Sequence, residues 1–396
     1  MIERRHQLWL FFIGLIGLCC AGVPAQTARG RRSGYSGDAA CAVCHRKEAS
    51  TYLHTAHHLT SQTPDAHSIL GSFGSGPNRL KIAGPGVDDS DARLYFLMEA
   101  RADGFYETAV AESGTRKLIR SERIDIVVGS GVRGQTYLYW HGNQLYELPA
   151  SCWSDGHRWI NSPGYEDGTA NFGRRADPRC LECHASYIRA MSTDPQTNLY
   201  DKDSLALGIS CETCHGPGAQ HVALETAARG NPAPEAAILN PSTFSRERQM
   251  DLCALCHNGT QRVELQPAFS YMPGKPLDDF FGPAPDAAPK QLDVHGNQVG
   301  LIKLSRCYIS SPSMTCSTCH DVHARERTAA SYSDRCLLCH RWQACGEARK
   351  MGSHIAANCI DCHMPMQETE AIVSVTAGKV LRTSIRNHRI AIYLRH

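Results

Sequence analysis

The sequence predicts an α+β chain in which short helices and loops carry a repeated cysteine–histidine signature, with a small antiparallel β module set among them. Two observations predict this. The pattern Cys-x-x-Cys-His occurs seven times in 396 residues, while residues 70–165 contain no copy and read instead as alternating strands. With 19 Cys and 20 His in the chain, chance would give on the order of 0.05 copies, so the repetition carries chemistry.

The copies are Cys41/Cys44/His45, Cys180/Cys183/His184, Cys211/Cys214/His215, Cys253/Cys256/His257, Cys316/Cys319/His320, Cys336/Cys339/His340 and Cys359/Cys362/His363. Two thiols three residues apart can bond to two vinyl carbons on one porphyrin edge, and the next residue places an imidazole under the iron. Disulfides need no histidine. Zinc held by paired thiols does not need one directly after every second cysteine. The pattern therefore points to covalently attached haem c, one per motif and seven in all, packed by short helices and loops in place of a large aliphatic core.

At the N-terminus, Arg4 and Arg5 precede an apolar run from Leu8 to Val23, which closes on Val23-Pro24-Ala25. A basic region, an apolar region and a small-residue cleavage site read as a secretory signal over residues 1–25. The run has 16 residues, short of the roughly 20 a membrane span needs. No stable span is expected unless the signal stays uncleaved, and the mature chain is expected in the periplasm or outside the cell. Cys19 and Cys20 do not follow the small residue that lipoprotein processing prefers. A net charge of +2 gives no reason to expect a nucleic-acid partner.

Residues 26–69 form an N-terminal haem segment. There Glu48–His58 reads as a helix that sets His54 and His58 on one face at i, i+4. In the β module, Arg93–Met98 and Phe105–Thr108 flank a turn at Asp103-Gly104. Gln135–Trp140 and Gln144–Leu148 make a second hairpin around His141-Gly142-Asn143, and Ile124–Val128 reads as a further strand. Residues 166–396 carry the other six motifs. Within them Leu205–Ile209 and Val222–Ala228 read as short helices, and 230–241 and 264–290, rich in Pro and Ala, read as surface linkers.

Thirteen histidines lie outside the motifs, and His6 falls in the expected signal. Any one of the remaining twelve could be a surface or core residue, or a second ligand on an iron, which neutral imidazole suits. His323 lies three residues past His320, a span of at most about 11 Å, too short to reach the opposite face of the same iron. His215 to His221 spans about 20 Å at most, and the Gly216-Pro217-Gly218 turn shortens that. His221 and His323 are therefore expected to ligate a neighbouring haem, and the same logic applies to His354. His388 and His57 complete the set of candidate distal ligands, with His54 and His58 as rivals of His57. His295, His157, His141 and His67 are weaker candidates. Such crossing requires closely packed haems.

Cys-x-x-Cys-His-Gly-Pro-Gly-x-x-His at 211–221, Cys-x-x-Cys-His-Asp-x-His at 316–323 and Cys-x-x-Cys-His-Met-Pro at 359–365 resemble the exported bacterial multihaem cytochromes c. The chain is similar in particular to the cytochrome c-554/c-prime-like group with doubled motifs. Val128–Gly131, Gln135–Leu138, Leu148-Pro149 and Ser162–Tyr165 carry the resemblance through the middle of the chain. It implies haem-based electron transfer, with distal ligands at positions matching His57, His221, His354 and His388.

Two functions follow. The first is electron transfer along mostly bis-His haems between redox partner proteins, with no catalytic residues. Such irons lack the Met ligand that raises potential. The alternative is a multihaem oxidoreductase for nitrite, hydroxylamine or a sulfur oxyanion. That needs one open-faced iron beside proton donors, and Arg189, Tyr187 and His157 lie near the Cys180 motif in sequence. No motif has Lys in place of His, and twelve spare histidines suffice for seven irons, so the sequence favours the carrier. In a third reading the β module is a docking surface. Cys152, Cys307 and Cys345 remain over, and at least one reads as a buried small hydrophobe.

Overall fold

The computed structural model describes residues 33–82, 92–194, 197–228, 237–259, 262–283, 297–325 and 328–393. The expected signal segment, His295 and residues 230–236 of the first expected linker lie outside them.

Among the described residues, ten strands follow one another from Ser61 to Asn161: β1 (Ser61–Gln62), β2 (Arg79–Ile82), β3 (Ala92–Arg101), β4 (Gly104–Ser113), β5 (Arg116–Arg123), β6 (Ile126–Val128), β7 (Gly134–His141), β8 (Gln144–Glu147), β9 (Ala150–Trp153) and β10 (Arg158–Asn161). Strands β2 to β5 form an antiparallel meander, while the second sheet runs β1-β6-β7-β9-β10 with β8 also paired to β7. Both expected hairpins are present. Arg101 pairs with Gly104 and His141 with Gln144, leaving two-residue loops whose twist suits antiparallel strands. Gly142, at φ 59°, supplies the left-handed residue of the second.

Successive strand residues face opposite sides, and the burial follows that period. Leu80 and Ile82, Phe96 and Met98, Tyr137 and Tyr139, and Ala150 and Cys152 meet Trp159 and Phe172 in a core between the two sheets. The opposite face of the second sheet is also covered. Ile126, Val128 and Leu138 pack on Leu181, Ile188 and Tyr200 from the motif-bearing half. β6 is therefore buried on both faces, with Val127 in one core and its two neighbours in the other, and the β module shares a core with the Cys180 motif.

Two further hairpins complete the sheets: β11 (Ala185–Ala190) with β12 (Tyr200–Leu207), and β13 (Met366–Thr376) with β14 (Lys379–Arg386). The last leans on β10, where Asn161 donates its backbone N–H to Thr376 Oγ1 at 2.9 Å and Ser374 Oγ donates to the Asn161 carbonyl at 2.7 Å.

The described helices are short, and the longest of them, Arg246–His257, has 12 residues. Ser245 caps it by accepting the Arg248 N–H. Its residues Met250, Ala254 and Leu255 enter a third core with Tyr271, Leu277, Phe281 and Val299. Arg179, on the helix Pro178–His184, ties that helix to this one. Its guanidinium donates to Glu182 at 2.7 Å and to the Leu255 carbonyl at 2.6 Å, and it lies over the Phe281 ring.

Three local expectations are corrected. The helix expected over Glu48–His58 spans Arg46–Tyr52. Thr55 Oγ1 donates to the Tyr52 carbonyl at 2.7 Å and turns the chain, so His54 and His58 do not share a helical face. Leu205–Ile209 is not helical, because Leu205–Leu207 extends β12 against β11. The described part of 264–290 is not a surface linker, because Tyr271, Leu277 and Phe281 are buried there. The Pro-rich spacing masked those anchors.

Three substitutions test this packing. Gly208 has φ 68°, and a Cβ there would sit 2.1 Å from the His58 carbonyl oxygen. Gly208→Ala should cost more than the roughly 1–2 kcal/mol of a left-handed alanine in urea unfolding. Gly142→Ala, with nothing within 4 Å of its Cβ, should cost no more than that. Arg179→Met leaves the buried Glu182 without its cation and should lower stability by roughly 3 kcal/mol in the same assay.

Candidate haem-binding array

Each motif is built as a single tight turn. The His45, His320, His340 and His363 amides donate to the carbonyls of Cys41, Cys316, Cys336 and Cys359 at 2.9, 2.9, 2.9 and 3.0 Å. This i→i−4 closure brings the two cysteines, three apart, to one side of the turn and presents the histidine beside them.

Among the described residues, four motif histidines face a second imidazole. His45 and His221 have ring centroids 6.3 Å apart, His215 and His323 6.0 Å, His320 and His388 6.2 Å, and His57 and His257 6.0 Å. The first three pairs are near parallel, at 24°, 20° and 21°, and the fourth is inclined at 78°. Metal–imidazole bonds are about 2 Å long, so two imidazoles on opposite sides of one metal carry their centroids about 6 Å apart. The pairs have that separation, and the donor set fits a haem iron. Among the described residues, no three His, Cys, Asp or Glu side chains converge to hold a metal ion. Zinc would need such a cluster, whereas a porphyrin brings four nitrogens and asks the protein for two.

The far ring nitrogens are held. His215 Nδ1 contacts the Leu239 carbonyl at 2.9 Å, His363 Nδ1 that of Ala391 at 2.9 Å, and His388 Nδ1 that of Arg386 at 3.0 Å. A carbonyl only accepts, so Nδ1 carries the proton in these three and Nε2 keeps its lone pair for a metal. His257 and His184 place Nδ1 near Gln298 Oε1 and Thr60 Oγ1, at 3.3 and 2.9 Å. Burial pushes the His57 and His388 pKa values down to about 4 and lowers those of His215 and His257. These imidazoles are neutral at pH 7, the form that ligates.

The motifs also touch through their thiols. Cys41 meets Cys211, Cys183 meets Cys256, and Cys253 meets Cys316 in hydrogen-bonding contact. Ser333 Oγ, on the helix that enters the Cys336 motif, accepts the Cys359 N–H at 2.8 Å. Ser305 Oγ links the Ile390 amide to the His388 carbonyl. With the ring pairs, these contacts join the seven motifs into one array.

Exposure differs between motifs, and Cys44, His45 and Cys180 of the first two are exposed. Cys339 and the adjacent His340 are exposed, and Cys362 is half-buried on the short helix Ile360–His363. The Cys339 and Cys362 thiols lie outside the three thiol contacts above, although Cys339 is near enough to Cys319 to help raise the pKa of its thiol. The helix Ala329–Leu337, which enters the sixth, packs against the one that carries Cys362, and none of their residues enters the three apolar cores. The sequence pattern is identical at all seven sites, so it gave no sign of this difference.

Other expected residues lie elsewhere. His354 is exposed on a short 3-10 turn, Gly352–Ala357, and among the described residues no facing ring pair includes His354, His340 or His363. Of the rivals of His57, His54 is exposed and His58 sits 3.5 Å from Asp38. His67, His141 and His157 are exposed on the β module. Arg189 pairs with Asp201 at the surface. All three left-over cysteines are free, and burial drives the Cys152 thiol up to about 12. Sequence reasoning missed the acids inside the motifs. Glu182 accepts the Phe269 N–H at 2.6 Å, and Glu212 is buried among backbone amides. Their one visible signal was a carboxylate between two haem-attaching cysteines.

A model of the cytochrome c554 and c-prime family matches residues 161–216, which hold the motifs at Cys180 and Cys211. The multiheme cytochrome MtrA of Shewanella baltica is 24% identical over 204 residues, covering 49% of this chain and 47% of that protein. The C-type polyheme cytochrome OmcB of Geobacter sulfurreducens is 25% identical over 195 residues, covering 43% of this chain and 23% of that one. The chain thus spans less than half the length of either relative. The crystal structure of the outer cell wall cytochrome OcwA has a similar fold, with a TM-score of 0.54 and 16% identity over 90% of this chain and 80% of that one. Together with the repeated motifs and the facing imidazoles, these likenesses place the chain among the multihaem cytochromes c.

Proposed function

We propose that the chain is an extracytoplasmic electron carrier with seven haems c, exported by its N-terminal signal and passing electrons between redox partner proteins. One observation carries the reading: imidazoles that follow one motif stand opposite the histidine of another. His221, beyond the third motif, faces His45 of the first, and His323, beyond the fifth, faces His215 of the third. On this reading neighbouring haems share short chain segments and lie side by side.

A haem held by these imidazole pairs would supply a one-electron couple. The chain's part is to hold each pair in place and to keep the imidazoles neutral. Its further part is to tune each site through burial and hydrogen bonds. No described helix is long and apolar enough to cross a membrane. The names of MtrA, OmcB and OcwA as cytochromes support the reading, and the Cys-x-x-Cys-His count supplies its stoichiometry.

The second reading, a multihaem oxidoreductase for small nitrogen or sulfur compounds, is favoured by one observation. His340 is exposed, and among the described residues no histidine ring faces it. Electron paramagnetic resonance of the purified holoprotein, with haems counted by mass, separates the two. The carrier is expected to hold seven haems with only low-spin iron. A high-spin iron that binds nitrite or hydroxylamine would favour the enzyme, and a chain without covalent haem would refute both. Singly replacing His221, His323 or His388 by Ala should turn one low-spin iron high-spin. The same change at His67, His141 or His157 should leave the spectrum unaltered.

A further inference from the structure

We infer that Glu212 is a positioning residue for the iron between His45 and His221, and that its fixed negative charge holds down that iron's reduction potential. The inference rests on the haem reading above. Glu212 belongs to the third motif, whose own histidine, His215, faces His323. Its carboxylate serves the pair that belongs to the first.

The side chain is 2% exposed. Oε1 accepts the Ser36 N–H at 2.8 Å and the Gly218 N–H at 2.8 Å, and Oε2 accepts the Gly37 N–H at 2.6 Å. Gly37 directly precedes the helix Asp38–Cys44, which carries Cys41 and Cys44 and leads into His45. Gly218 directly precedes the helix Ala219–Ala227, which carries His221. One carboxylate is thus bonded to the starts of both segments that bring the two imidazoles face to face. A shift of either start relative to Glu212 changes the 6.3 Å separation.

Local sequence is built around this contact. A Cβ on residue 218 would lie 3.1 Å from Glu212 Oε1, and Gly37 takes φ 82°, a left-handed angle that favours glycine. Asp38 makes the reciprocal link by accepting the Cys211 N–H at 2.9 Å. The Gly34 carbonyl accepts the Ala219 N–H at 2.9 Å.

Among the described residues no cationic side chain forms an ion pair with Glu212. Three backbone N–H groups stabilise the carboxylate, as charge-assisted hydrogen bonds do, but they leave its charge in place. That charge bears on the Cys41 thiol, the first attachment point of the first motif. A buried anion favours the more positive, oxidised state of a nearby iron, and its loss favours the reduced state.

The test uses the full-length holoprotein and two variants. Glu212→Gln keeps the length of the side chain and removes its charge. Glu212→Asp keeps the charge and shortens the reach to Gly37 and Gly218. Mass counting of haem in the unsubstituted protein comes first, because its failure would reject the haem reading itself. In Glu212→Gln, spectroelectrochemical titration is expected to move one midpoint upward with the haem count unchanged. In Glu212→Asp, paramagnetic resonance is expected to show one low-spin signal altered or partly replaced by high-spin iron. A Gln titration that superimposes on the unsubstituted protein, with both variants retaining its spectrum, would overturn the inference. Should Glu212→Gln not accumulate as holoprotein, the Asp variant decides, and an unaltered spectrum there overturns the positioning role.

Discussion

An iron that takes an imidazole on each face needs side chains arriving from opposite directions, and a five-residue motif supplies only one of them. The second has to come from chain that has travelled around the porphyrin, which a few residues cannot do. The ring pairs have the corresponding connectivity: 45 with 221, 57 with 257, 215 with 323 and 320 with 388. Each joins positions far apart in the sequence, so the pairs organise the tertiary structure as well as the sites. The helices between them can then be short, since a helix of four to twelve residues has little stability of its own.

The same requirement accounts for where polar groups are buried. Carboxylates sit at the joints between motifs, and their state follows from the donors they meet. Glu212 receives three backbone N–H groups and is held as an acceptor between two helix starts. Glu182 has one amide and Arg179, and burial still raises its pKa. Glu107, fully buried in the core of the β module, accepts only the Ala150 N–H, and burial raises its pKa well above the usual carboxylate range. Fewer donors leave desolvation unopposed. Thus the acid at the joint between two motifs is best provided for, and the acid inside the β module is the one driven towards its neutral form.

Much of this was legible in the sequence, and the limits have physical causes. The seven Cys-x-x-Cys-His motifs are each written in five consecutive residues. How deeply each is enclosed is not local, so the exposure of Cys44, Cys180 and Cys339 could not be read from the pattern. The hairpins around Asp103-Gly104 and His141-Gly142-Asn143 are local, with a period of two and turn residues at the tips, and they appear as read. Chain reach separates His221 and His323 from the histidines of their own motifs, and their rings face His45 and His215. It could not name their partners, because those depend on which motifs pack together. The helix over Glu48–His58 failed because Thr55 offers the backbone a competing hydrogen bond. Leu205–Ile209 failed because pairing with β11 overrides a five-residue helical pattern. The hairpin from Met366 to Arg386 escaped notice altogether, its alternation being irregular where the register shifts between Glu368 and Val373. His354 was read by the same reach argument as His221, and its ring is exposed on the turn Gly352–Ala357.

The β module bears on the array through β6. Its three residues alternate between two cores: Val127 faces the sandwich, and Ile126 and Val128 face the layer that holds Leu181, Ile188 and Tyr200. Leu181 lies inside the second motif, between Cys180 and Cys183. The covalent anchor of one haem on the proposed reading is therefore packed directly on a sheet whose other face is filled by Tyr137, Phe96 and Trp159. A sheet closed on both sides resists displacement, because shifting it would open two cores at once. The second motif is thus seated on the sheet through Leu181. The third motif is instead held through its Glu212 and the short helices around it. An array that passes electrons needs fixed spacing more than it needs motion, and one rigid seat at the second motif lets the thiol contact between Cys183 and Cys256 set the position of the fourth.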